Sequence, residues 1–210
     1  MQTVEKLTEG NYYHIYNRGV DGINLFESAA DFTAFLKSYE HYTKDVLNTL
    51  AYCLMRNHFH FLAYVKENVI LERVDGRGLI KLNASRQLGH LFNSYAQSFN
   101  SRYSRTGGLF EKPFERKYVD EKDYLTSAIL YIHNNPIHHG FAKIIDEWPH
   151  SSYQSLLDNK TTFLDREFVL NLFGGKENFV AEHSKKVELI GLKKWGYEVA
   201  GDLSSERRLS

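Results

Sequence analysis

Residues 47–65 read LNTLAYCLMRNHFHFLAYV, and this stretch decides the fold. Leu47 to Met55 and His58 to Val65 are two strand-like runs separated only by Arg56-Asn57, a spacing that fits an antiparallel hairpin or two adjoining strands. Within the second run the side chains alternate between faces, so Phe59 and Phe61 point one way and His58 and His60 the other. One face is therefore apolar and packs a core. The other carries two imidazoles that could share one metal ion.

Working outward, Asn11 to Arg18 (NYYHIYNR) is rich in aromatic and β-branched residues and stops at Gly19, a further strand. Ser28 to Lys44 carries Phe32, Phe35, Leu36, Tyr39 and Tyr42 at helical spacing. Leu79 to Tyr103 repeats that pattern with Leu88, Leu91, Phe92, Tyr95 and Phe99. Phe114 to Val119 supplies a fourth strand, and a helix through Tyr124, Leu125, Ala128, Ile129 and Ile132 is expected to stop at Pro136. The order is strand, helix, strand, strand, helix, strand, helix. It predicts an α+β fold, a ferredoxin-like antiparallel sheet with helices packed on one face. Beyond Trp148-Pro149 the pattern becomes short helices, Thr161 to Phe173 and Asn178 to Val187, so residues 1–155 form the main domain and 156–210 a helical C-terminal extension.

Composition narrows the function. The 210 residues are 42% hydrophobic and 25% charged, ordinary globular values. The longest apolar run, Leu50 to Met55, is far short of a membrane span, and Met1 to Gly10 has no apolar core of a signal peptide, so a cytoplasmic protein without a membrane partner is expected. The lone cysteine, Cys53, sits among apolar neighbours and reads as a small buried hydrophobe. Formal net charge is zero, but it is segregated: residues 1–72 carry −3, residues 73–118 carry +6 and residues 119–210 carry −3. The middle segment sets nine Lys and Arg against three Asp and Glu and interleaves them with aromatic rings. That combination suits phosphate contacts and base stacking, so a nucleic-acid partner stays open.

A second constellation is Tyr131-Ile132-His133-Asn134-Asn135 at the end of the last sheet-packing helix. Tyr131 and Asn135 are four residues apart and share a helix face, where a phenol and an amide oxygen could serve as nucleophile and metal ligand. A core-edge tyrosine with a capping asparagine is the alternative. His133 falls on a different face, which suits a structural residue. Tyr124, upstream on the same helix, is a rival nucleophile without an asparagine partner, and His14 on the first strand either nears the site or packs.

Taken with Tyr12-Tyr13-His14-Ile15-Tyr16-Asn17-Arg18-Gly19, Cys53-Leu54-Met55-Arg56-Asn57-His58-Phe59-His60-Phe61-Leu62, Tyr131-Ile132-His133-Asn134-Asn135-Pro136 and Trp148-Pro149-His150-Ser151-Ser152-Tyr153, the chain resembles the single-tyrosine HUH transposases. The likeness is greatest to their REP-associated branch and covers about residues 11–155. It implies a transposase-like endonuclease that cleaves and rejoins single-stranded, hairpin-containing DNA through a 5′-phosphotyrosine intermediate. Tyr131 would be the nucleophile; His58, His60 and Asn135 would hold a divalent cation, Mg²⁺ or Mn²⁺. Arg18, Arg86, Arg102, Arg105, Lys112, Arg116 and Lys117 are the candidate DNA contacts. The family often has proline at the position of Arg56, and a basic and a small residue where His138 and His139 stand. A non-catalytic nucleic-acid-binding module on the same fold is the alternative reading, and a homodimer is compatible with either.

Overall fold

The computed structural model describes residues 6–72, 78–111, 113–120 and 122–185. Strands β1 (Tyr12–Arg18), β2 (Leu47–Leu54), β3 (His58–Val65) and β6 (Glu115–Val119) form one antiparallel sheet in the order β2-β3-β1-β6. That is the ferredoxin-like order expected of strand-helix-strand-strand-helix-strand. The β2-β3 hairpin closes with a Met55 N–H bond to the His58 carbonyl at 2.8 Å. The segment after β1 braces this turn, since Leu25 and Phe26 N–H groups both donate to the Arg56 carbonyl. Gly19 makes the approach possible: a Cβ there would lie 2.0 Å from the Ile23 carbonyl oxygen.

Helices α1 (Ala29–Thr43) and α2 (Ala84–Arg102) cover the face that receives Phe59 and Phe61. Phe59 meets Phe35 of α1 at 5.1 Å and Phe92 of α2 at 5.7 Å, and Tyr39 stacks on Phe61 at 3.8 Å. Full burial of rings of this size contributes about 1.5–3 kcal/mol each. The start of α1 is tied to the end of α2 through Asp31, which is buried. Its carboxylate accepts from Glu27 and Ser28 N–H (both 3.0 Å), Ser28 Oγ–H (3.0 Å) and the Tyr103 hydroxyl (2.7 Å), and it pairs with Arg102.

Three expectations change. Helices do not all lie on one face: α3 (Lys122–His138) packs on β2 and β3 opposite α1 and α2, because its Tyr131 meets His60 and not the phenylalanines. The helix expected from Leu79 begins at Ala84, where the Asn83 side chain accepts the Arg86 N–H at 3.0 Å and fixes the start. Leu79–Lys81 (β5) instead pairs with Ile70–Glu72 (β4) in a small hairpin. Pro136 does not stop α3, which runs two residues further. A proline this close to a helix end sacrifices only its own N–H bond, and the last turn still closes through His139 N–H to Asn135 O at 3.0 Å.

Residues 148–165 cover the β2 edge. Leu54 N–H bonds the His150 carbonyl, Trp148 Nε1–H bonds the Leu54 carbonyl, and Asp165 N–H bonds the Thr49 carbonyl, all at 2.9 Å. These contacts satisfy an edge that would otherwise pair with another chain. Helices α4 (Tyr153–Leu157), α5 (Arg166–Leu172) and α6 (Lys176–Ser184) follow, and residues 186–210 lie outside the described set. Among the described residues no helix is long and apolar enough to cross a membrane.

Candidate active site

On the sheet face opposite the phenylalanine core, β1 and β3 place His14, His58 and His60 together. His14 Nε2 lies 2.9 Å from His60 Nδ1, the two rings edge to edge and nearly coplanar with centroids 5.0 Å apart. His58 Nδ1 lies 2.8 Å from Asn57 Oδ1. An amide oxygen only accepts, so His58 carries its proton on Nδ1 and keeps a lone pair on Nε2. The helix α3 lays Tyr131 over this cluster, edge-on to His60 (5.9 Å, 77°) and to His14 (6.2 Å, 84°). One turn on, Asn135 is buried and its Nδ2 donates to the Tyr131 carbonyl at 2.9 Å. With the amine end used this way, Oδ1 is the atom left to coordinate. His139, a further turn along, brings its ring 4.9 Å from that of His58.

The electrostatics follow from burial. Desolvation lowers His58 to about 3, helped by the nearby His139 and Arg18 charges; His14 falls to about 3, from burial and then Lys117. His60 is held well below 6.5 by burial and by His14, His58 and His139. All three imidazoles are therefore neutral at pH 7, the form that binds metal. Burial raises the Tyr131 phenol above 10.0, with the Asn135 amide acting in the opposite sense. The Cys53 thiol is pushed up by burial alone and lies 3.7 Å from Met55 Sδ, so it is the inert hydrophobe its sequence neighbours suggest.

A divalent cation fits the chemistry of these donors. Among the described residues no group of three His, Cys, Asp or Glu is arranged to hold one. A cation at this place would rest on two imidazoles plus an uncharged oxygen, which is what His58, His60 and Asn135 offer. The proton on His58 Nδ1 leaves Nε2 as that ring's lone-pair nitrogen, and the Asn135 amine is tethered to the Tyr131 carbonyl.

The candidate DNA contacts separate by face. Lys117 is paired across the strands with His14, and Arg18 with His58, so both border the imidazoles. Arg18 also bonds Glu111 at 2.7 Å while half exposed. Arg116 points to the other face, its guanidinium 3.7 Å over Phe114 beside Phe92. Arg86 and Arg105 belong to the α2 layer, where Arg105 Nη1 bonds Asn100 Oδ1 at 3.1 Å; Arg102 in the same layer is engaged by Asp31. Lys112 lies outside the described residues, as do Arg73 and Arg77 of the basic segment.

Other sequence candidates find their places. Tyr124 is partly buried against the core. His133 points away from Tyr131, with Nε2 at 2.7 Å from Ser152 Oγ. His14 belongs to the site. His139 is the residue that pattern reading passed over, although its i+4 spacing from Asn135 places it on the Tyr131 face. A cavity of about 290 Å³, lined by Phe32, Leu36, Tyr52 and His150 among others, lies beside α1 and takes in none of the site residues.

No family model matches the chain. It is 31% identical over 137 residues to a Haemophilus influenzae protein named among the REP-associated tyrosine transposases, an alignment spanning 63% of this chain and 69% of that protein. The solved structure of a REP-associated tyrosine transposase bound to a REP hairpin superposes with a TM-score of 0.57, covering 79% of this chain and 94% of the other. At 12% identity that likeness shows the shared fold alone. On the sequence match, this chain belongs to the REP-associated tyrosine transposase family.

Proposed function

We propose that this protein cuts and rejoins single-stranded DNA beside a hairpin, with Tyr131 as the nucleophile. The observation that carries the reading is the edge-on placement of Tyr131 against His60 and His14, one turn from an asparagine whose amine end is tied to the Tyr131 carbonyl. The hairpin in the solved relative supports hairpin DNA as the partner.

His58 and His60, through neutral imidazole nitrogens, and Asn135, through Oδ1, would hold Mg²⁺ or Mn²⁺. When bound, that cation neutralises charge on a non-bridging phosphate oxygen. Tyr131 is protonated at rest, since burial raises a phenol that already titrates near 10. Its proton leaves as Oη attacks phosphorus, the bond to the 3′ oxygen breaks, and that oxygen takes up a proton. The products are a 5′-phosphotyrosine and a free 3′-hydroxyl. Because the tyrosyl ester conserves the bond energy, attack by another 3′-hydroxyl reverses the step and joins strands without ATP. Arg18 and Lys117, which border the imidazoles, would neutralise phosphates next to the reacting one. Arg86, Arg105 and Arg116, on the α1–α2 side, would meet phosphates further away.

The test is cleavage and binding measured side by side on a labelled oligonucleotide carrying a hairpin and a single-stranded flank. His58→Ala and His60→Ala are expected to abolish cleavage and leave hairpin binding intact, because contacts that position DNA lie elsewhere. Variants that cut as fast as the parent would contradict the ligand assignment.

A further inference from the structure

We infer that His14 is a positioning residue that sets the tautomer of His60 and thereby decides which atom His60 presents to a divalent cation; this rests on the reading of His60 as a ligand. His14 is fully buried at the centre of the sheet, between β3 and β6. Its ring lies edge to edge and nearly coplanar with that of His60 (5.0 Å, 19°) and stacks on that of Tyr16 at 4.9 Å (23°), which fixes its plane. Its Nε2 faces His60 Nδ1 at 2.9 Å.

Two neutral imidazoles joined this way share one proton, and the two placements differ in consequence. If His60 Nδ1–H donates, His60 Nε2 carries a lone pair toward the site. If His14 Nε2–H donates, the His60 lone pair is consumed at Nδ1, and Nε2 presents an N–H that repels a cation. His14 as acceptor is therefore the arrangement in which His60 can ligate. The neighbouring imidazole has the same backing, since Asn57 Oδ1 accepts from His58 Nδ1–H at 2.8 Å. The two backing groups come from different places in the chain, Asn57 from the hairpin turn and His14 from β1. Partners of this kind, which take the other ring N–H of a ligating histidine, fix ring orientation and typically account for about 10–100-fold in metal affinity.

The experiment has two arms. Nitrogen-15 NMR of histidine-labelled, metal-free wild-type protein reads the tautomer directly: His60 protonated on Nδ1 is expected, and His60 protonated on Nε2 overturns the inference. Calorimetric titration with Mn²⁺ then compares wild type, His14→Phe, His14→Gln and His60→Ala. His14→Phe keeps an aromatic ring but removes the acceptor, and is expected to weaken Mn²⁺ by about 10–100-fold. His14→Gln restores an acceptor oxygen and should recover most of the loss; a Gln variant no better than Phe overturns the inference. If His14→Phe binds like wild type while His60→Ala does not, the role of His14 fails and the ligand reading stands. If His60→Ala binds like wild type, the ligand reading itself fails.

Discussion

His133 on α3 and His183 on α6 meet through their ring nitrogens, Nδ1 to Nε2, at 2.8 Å. The protons on this contact are fixed by what lies at its ends. His183 Nδ1 faces the Phe179 carbonyl at 2.7 Å and must donate, so its Nε2 accepts from His133 Nδ1–H. His133 Nε2 then accepts from the Ser152 hydroxyl at 2.7 Å, and Ser152 Oγ accepts from Tyr52 N–H at 2.8 Å. One buried chain of donors thus links α6, α3 and β2, and it grips α3 two residues from both Tyr131 and Asn135. His183→Leu keeps bulk but strands the His133 N–H. A loss of about 1–3 kcal/mol in urea unfolding is expected; an unchanged midpoint would argue against the relay.

Acid should weaken the fold well before the carboxylates titrate. His14 and His58 are lowered to about 3 and His183 to about 4, with His60 and His133 also lowered, chiefly by burial in each case. Unfolded histidines titrate near 6.5. Between about pH 6.5 and 4 the unfolded chain therefore holds more protons, and stability falls as pH falls, by up to about 1.4 kcal/mol per pH unit for each such histidine. Denaturant midpoints of protein in EDTA at pH 7, 6 and 5 test this. A flat series would contradict the neutral, buried cluster.

Asp31 has the same sign at lower pH. Burial pushes its carboxyl up, but bonds from Tyr103, Ser28 and Glu27 outweigh that and hold it below 3.8. Its stabilisation is present above the unfolded value and is lost only as pH falls through the folded one. Asp31→Ala should cost about 2–4 kcal/mol, since it strands several buried donors at once. Arg102→Ala should cost about 1 kcal/mol or less, because that side chain is half exposed. Equal losses in thermal or chemical unfolding would refute the ordering.

Charges on the site face should act on DNA and not on stability. Lys117→Ala and Arg18→Ala are each expected to weaken binding of the single-stranded flank and to lower the slope of log K against log salt by about 0.7. Arg102→Ala, whose guanidinium serves Asp31, should leave that slope unchanged. Fluorescence anisotropy over a salt series separates the two behaviours.

Much of this was legible in the chain, for identifiable reasons. The alternation of His58-Phe59-His60-Phe61 fixes two faces at once, and the structure honours it residue by residue. Helix placement was less legible: the periodicity of α3 shows that it has an apolar side but not which face of the sheet receives it. Proline read as a stop because its effect depends on distance from the helix end, which local pattern does not supply. His14 stays undecided in the sequence and His139 escapes it because their meaning is relational, one set by strand register with β3 and the other by where the end of α3 meets His58. A count of basic residues likewise cannot separate Lys117, beside the imidazoles, from Arg102, which neutralises a buried carboxylate.

The central claim is that Tyr131 forms the covalent bond to DNA. Wild-type and Tyr131→Phe protein, each with Mn²⁺ and an end-labelled hairpin oligonucleotide carrying a single-stranded flank, are compared on a denaturing gel. A labelled protein–DNA adduct is expected from wild type and none from Tyr131→Phe, with hairpin binding retained by both. An adduct that persists in Tyr131→Phe would contradict it.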